Sequence, residues 1–186
     1  EILIGLVGSE MCIRDRNIAL DNPATMGSDL VVGAAAALAI HKPPLIIIDM
    51  GTATTMTVID REARVLGGAI IPGVGISLEA LASGTSQLPH ISLDAPKKCI
   101  STDTVEAMRS GSVYGTAAML DGMIERMEAE LGEPAAVIAT GGLGGCIIPY
   151  CRREITYDKN LLLNGLWALY PVSYTHLRAH ETDQYL

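Results

Sequence analysis

Three short clusters in the chain carry residue types that handle phosphate, charge and protons. Asp49-Met50-Gly51-Thr52-Ala53-Thr54-Thr55 follows an unbroken apolar run, Leu45–Ile48. A carboxylate at the end of a buried strand can hold a metal or its water. Glycine lets the backbone approach oxygen atoms, and Thr52 and Thr54 add hydroxyl donors. A plain Thr-rich hairpin with a capping Asp accounts for the same letters about as well. The apolar run in front tips the reading to a phosphate site. Thr140-Gly141-Gly142 follows a second apolar run, where glycines at a strand-to-helix turn let a flat ring or a phosphate lie on the backbone. By itself a tight turn explains it; beside the first cluster it reads as the adenosine side of a nucleotide cleft. Gly27-Ser28-Asp29 places a carboxylate at a helix start. That is ordinarily a cap. As a general base it must reach a substrate hydroxyl beside a phosphate donor. In Ser101-Thr102-Asp103-Thr104, helix capping accounts for at least one hydroxyl.

Other reactive side chains carry no such pattern. His41 and His90 are single and receive no catalytic role. Met108, Met119, Met123 and Met127 read as a core or dimer-facing stripe, and Lys97-Lys98 as a solvated pair. Cys12, Cys99, Cys146 and Cys151 form no Cys-x-x-Cys pair, so free thiols in a reducing compartment are expected rather than zinc or a disulfide framework.

The elements that must position these clusters follow from periodicity and breakers. A helix is expected over Leu30–His41, with Asp29 at its cap or first turn, ending before Pro43-Pro44. Leu45–Asp49 has the continuous β-branched pattern of a strand buried on both faces, and Met56–Asp60 and Val65–Ile71 continue it as an antiparallel meander. Then come a short helix at Ile76–Ala82, a loop at Gln87–Ala95, and a long helix from the Thr102–Thr104 caps to Leu131. Gly111 and Gly115 lie inside that helix and suggest close approach of another backbone. Ala135–Ala139 is a strand, Cys146–Tyr150 a short helix, Glu154–Tyr157 a strand and Leu161–Tyr170 the closing helix. From Leu45 the order is βββαβαβ plus a helix. That is an α/β, ribonuclease-H-like order with a mixed five-stranded sheet.

Composition narrows the function. Thirteen basic residues against 21 acidic ones give a net charge of −8, against a phosphate-tracking nucleic-acid binder. Phe is absent and aromatics are 4%, against base-stacking platforms. Apolar residues at 49% suffice for a core. The Leu30–Ile40 stretch is too short to span a bilayer, so a soluble, cytoplasmic protein is expected.

Both ends look foreign. One choice of codons for Val172–Thr182, read on the complementary strand in a shifted frame, translates as Leu6–Arg16. The shared segment resembles a transposon-end sequencing adapter translated at both edges of a short contig. An inverted repeat within one gene is the less economical explanation. Residues 1–16 and 171–186 are thus expected to be adapter-like extensions, leaving Asn17–Tyr170 with 10 basic and 16 acidic residues.

Taken together and in order, the clusters resemble type III pantothenate kinases, of the acetate-and-sugar-kinase, heat-shock-chaperone and actin superfamily. The matching pieces are Asn22-Pro23 with Gly27-Ser28-Asp29, Ile48–Thr55, Gly67–Gly73 and Leu88-Pro89. Further on come Thr104 with Ala107-Met108 and Ser110-Gly111, then Tyr114-Gly115, Ala139–Gly142 and Asn164-Gly165-Leu166. The resemblance implies an actin-like ATPase fold, with residues 17–43 ending a first domain and 44–170 forming a second. It implies transfer of the ATP γ-phosphoryl group to pantothenate, the first step of coenzyme A synthesis, in a cytoplasmic homodimer. Asp29 would take the proton from the substrate hydroxyl, and Gly27, Ser28, Asp29, Leu30 and Thr104 would contact pantothenate. Asp49 would bind an activating monovalent cation, potassium or ammonium. Gly51 and Thr52 would meet the phosphates, Gly141 and Gly142 the adenosine, and Mg2+ would accompany ATP.

The sequence also departs from the family. Its first phosphate hairpin, Asp-x-Gly-Asn-Thr/Ser, is absent, so this chain by itself is expected to be inactive. Leu30 stands where many members have Arg, and Leu20 where many have Tyr. A non-catalytic regulator similar to the Bvg accessory factor is the alternative from another class. Retention of Asp29, Asp49, Thr52 and Thr104 together favours the enzyme. A sugar or carboxylate kinase of the same superfamily is disfavoured by the Asn-Pro and Thr104–Gly111 pieces.

Overall fold

A computed structural model describes residues 27–167 of the 186-residue chain. In chain order the elements are α1 (Ser28–Ile40), β1 (Leu45–Met50), β2 (Ala53–Ile59), β3 (Val65–Pro72), α2 (Val74–Ser83) and α3 (Thr104–Leu131). They continue with β4 (Ala136–Thr140), α4 (Gly144–Ile147), a 3-10 turn (Ile148–Tyr150) and β5 (Thr156–Tyr157). Helix α5 covers residues 161–167.

The strands form one sheet in the order β3-β2-β1-β4-β5. β1 pairs antiparallel with β2 and parallel with β4; β2 pairs antiparallel with β3, and β4 parallel with β5. This is the expected mixed five-stranded sheet, with α2 inserted. Because side chains alternate along a strand, the apolar run of β1 serves two cores. Leu45 and Ile47 pack with Val31, Ala34 and Ala37 of α1. Ile46, Ile48 and Met50 pack on the other face with Val113, Ala117, Leu120 and Ile124 of α3. That double duty is why no polar residue interrupts Leu45–Ile48.

Element boundaries moved where tertiary pairing overrides local signals. α1 begins at Ser28, with Gly27 as its cap, so Asp29 lies in the first turn and not at the cap itself. β2 begins at Ala53 because its ladders with β1 and β3 run right down to the turn. β5 has only two residues, one of which, Tyr157, pairs with Ala139.

α3 is capped by the Asp103 carboxylate, which accepts the Glu106 N–H at 3.0 Å, and it ends at Gly132 with φ +79°. Its 28 residues make a rod of about 42 Å, against about 20 Å for a six-residue strand. α3 joins the main core from Val113 onward, and Met108 and Ser110 in its earlier turns are buried as well. Among the described residues, nothing beyond the helix's own adjoining backbone lies within 4 Å of a Cβ placed at Gly111 or Gly115. The close backbone expected there does not come from the described part of the chain.

The loop before α3 is tied down by Arg109, which donates to Asp94 at 2.7 Å and Glu106 at 2.9 Å. Cys99, Cys146 and Cys151 are free thiols; burial, then the charge of Asp121, pushes Cys151 up to about 12. Cys12 and Leu20 lie outside the described residues.

Candidate active site at the carboxyl ends of two parallel strands

β1 and β4 run parallel, so the turns that follow them emerge side by side. Thr140 is in register with Asp49, the last polar residue of β1. The next residue, Gly141, has φ +94°, and a Cβ there would come within 2.6 Å of the Met50 backbone. Only glycine permits both the left-handed conformation and this seat. The two glycine-containing clusters, far apart in sequence, are thereby brought into backbone contact. Open α/β sheets bind ligands in such a crevice, outside the carboxyl ends of strands.

Within the β1–β2 turn, the Gly51 N–H donates to the Ala53 carbonyl at 3.0 Å, which fixes the turn. Thr52 is exposed at its tip. Thr54 is 1% exposed, because the strand alternation turns it inward, so its hydroxyl is not offered to a ligand. The end of β3 closes on the same turn: a Cβ at Gly73 would lie 2.7 Å from the Gly51 carbonyl oxygen and closer still to that of Thr52. This contact of Gly73 with the hairpin tip is a tertiary one that residue type alone does not announce.

Asp49 continues the Leu45–Ile47 series and so belongs to the α1 side of the sheet. Burial first, and then the negative charge of Asp29, raises its pKa above the usual carboxylate range. Asp29 thus lies on the same side of the sheet as Asp49, near enough for its charge to be felt there. Asp29 is exposed and accepts the Leu30 N–H at 2.9 Å, while Leu30 turns onto the apolar core of that face. Ser28 opens the helix.

Among the described residues, no three His, Cys, Asp or Glu side chains converge on a metal position. What Asp49 offers instead is a half-buried carboxylate with an uncompensated like charge nearby, next to a turn rich in carbonyl and hydroxyl oxygen. Hard oxygen donors of that kind suit an alkali cation, so the residues present fit one.

Thr104 is not part of this cluster. It starts α3, on the opposite face of the sheet from α1. There it borders a groove of about 590 Å³ with Ser77 and Leu81 of α2 and with Gly111 and Gly115. Within one chain the sheet separates it from Asp29.

The sheet order, the carboxylate–glycine–threonine hairpin and the glycine turn beside it define a ribonuclease-H-like domain of the actin-like ATPase class. Solved structures share that fold. A Baf-family transcriptional activator from Campylobacter jejuni aligns with a TM-score of 0.55 and 23% identity over 81% of this chain and 66% of its own. The Alp12 filament protein aligns at 0.50 and 16% identity over 78% of this chain and 53% of its own. At those identities the likeness is one of fold.

The family model described as type III pantothenate kinase matches residues 4–126. The match takes in residues 4–16, which lie outside the described structure. Type III pantothenate kinases from Rubrobacter xylanophilus, an Exiguobacterium species and Rhodospirillum rubrum are 40%, 44% and 42% identical to this chain. The alignments cover 92%, 83% and 80% of this chain and 67%, 60% and 58% of those relatives. The chain belongs to the type III pantothenate kinase family. It spans about 60% of the length of the curated relatives it matches.

Proposed function

We propose that the whole protein to which this chain belongs transfers the γ-phosphoryl group of ATP to the primary hydroxyl of pantothenate, giving 4′-phosphopantothenate. Family membership supports the reaction. The observation that carries the site assignment is the meeting of the Asp49–Thr52 hairpin, the Gly141-Gly142 turn and Asp29 at one end of the sheet. Phosphoryl transfer asks a protein mainly to position its substrates and neutralise charge.

In this reading Thr52, at the tip of the hairpin, donates its hydroxyl to ATP phosphate, with Gly51 giving the close approach. Gly141 and Gly142 lie against the adenosine. Asp29, exposed on the first turn of α1, accepts the proton of the attacking hydroxyl, and Gly27–Leu30 border the pantothenate. Asp49 would hold a potassium or ammonium ion, which would supply positive charge for the phosphates, and Mg2+ would come with ATP. Because Thr104 lies across the sheet from Asp29, its contact with pantothenate is made in a second copy's site. This supports a homodimer, with the Gly111–Gly115 face as the surface between copies. Residues 17–43 would close a first domain and dock on the second through α1. No helix of the described residues is long and apolar enough to cross a membrane, and we place the enzyme in the cytoplasm.

The test is Asp29→Asn in a protein of the relatives' full length. Turnover should fall by about 100-fold or more, the range for removing a general base, with ATP affinity within about twofold. An equal loss of ATP affinity would make Asp29 a structural cap. The regulator reading predicts no phosphorylated pantothenate from the parent protein either.

A further inference from the structure

Four glycines follow β4, Gly141 and Gly142 in the turn and Gly144 and Gly145 at the start of α4, and two of them, Gly141 and Gly144, have a steric reason inside the chain. Gly141 seats on the Met50 backbone. Gly144 and Gly145 lie under the ring of Tyr157: a Cβ at Gly144 would come within 2.9 Å of Tyr157 Cδ2, and one at Gly145 within 3.6 Å of Cε1. Gly142 is exposed, and among the described residues nothing but its own chain neighbours lies within 4 Å of a Cβ built on it. Its open backbone is the part of the turn left for a ligand.

Tyr157 holds that arrangement from two sides. Its O–H donates to the Gly141 carbonyl at 2.8 Å while its ring covers Gly144 and Gly145. Tyr157 itself is fixed by pairing with Ala139 and by the Asp158 N–H, which donates to the Ala139 carbonyl at 2.9 Å. A two-residue strand thus clamps the turn at both ends and leaves Gly142 free. We propose that Tyr157 is a positioning residue for the nucleotide, presetting the Gly141–Gly145 turn so that the backbone at Gly142 receives the adenosine. The inference rests on the reading of this turn as the adenosine side of the cleft.

Tyr157→Phe keeps the ring and removes only the hydrogen bond. Gly142→Val places a side chain in open space, where the fold tolerates it and a ligand would not. Both are made in the full-length kinase. The measurements are KM for ATP, KM for pantothenate, kcat, the Kd of Mg-ADP by calorimetry, and the melting temperature. With Tyr157→Phe, KM for ATP and the Kd of ADP should rise about 5- to 10-fold, the scale of one ordering hydrogen bond. kcat and KM for pantothenate should stay within about twofold. If Gly142→Val weakens nucleotide binding but Tyr157→Phe does not, the positioning role is overturned and the site reading survives. If Gly142→Val leaves nucleotide binding unchanged, the site reading fails and the proposal with it. A parallel fall in kcat, both affinities and melting temperature on Tyr157→Phe would also overturn the proposal, leaving Tyr157 a structural side chain.

Discussion

Asp49 is held in a state that folding alone would not choose. A carboxylate that is half buried and faces another negative charge is destabilising when ionised. Because its folded pKa lies above the unfolded one, this cost is absent below the unfolded value and sets in as pH rises through the folded one. Asp49→Asn should therefore raise the melting temperature at pH 8, with the gain shrinking toward acid pH, while removing stimulation by potassium. A lower melting temperature at pH 8 would show that Asp49 is held by favourable contacts. Much at this scale could be read from residue type: a carboxylate, a glycine and a hydroxyl at the end of an apolar run. Two things could not. Thr54 turned inward because strand register, not residue type, decides which hydroxyl meets solvent. Tyr157 gave no signal at all, since its role depends on contacts with glycines 12 to 16 positions earlier.

At the scale of elements, the sheet does the positioning. Parallel β1 and β4 put two turns side by side, and Gly141 locks them by lying against Met50. Gly141→Ala forces a side chain into a left-handed position and onto backbone atoms. It should cost about 3 kcal/mol or more in chemical denaturation. Gly142→Ala, in open space, should stay within about 0.5 kcal/mol. Equal losses would mean that the two turns do not meet in this way. Strand and helix order was legible because the local patterns are strong: a continuous apolar β1, the alternation of Met56–Asp60 in β2, and a long α3 with a clear cap. The ends of α1, β2 and β5 were less so, because pairing and the Gly27 cap set them. The offset of Thr104 from Asp29 was not legible, since it follows from which face of the sheet each helix covers.

For the whole molecule, the groove between α2 and α3 matters most. Gly111 and Gly115 each cost a helix roughly 1 kcal/mol relative to Ala, and the described chain places nothing against them. The proposed homodimer would place a second copy there, which would account for their use. Gly111→Leu should leave the fold intact or more stable, yet shift sedimentation from dimer to monomer. A dimer that persists would move the interface elsewhere. The most direct test of the proposed activity is the phosphorylation of pantothenate by the full-length protein, measured with ATP and magnesium in potassium and then in sodium alone. We expect turnover in potassium and markedly less in sodium. A folded, ATP-binding protein that forms no 4′-phosphopantothenate in either salt would contradict the account.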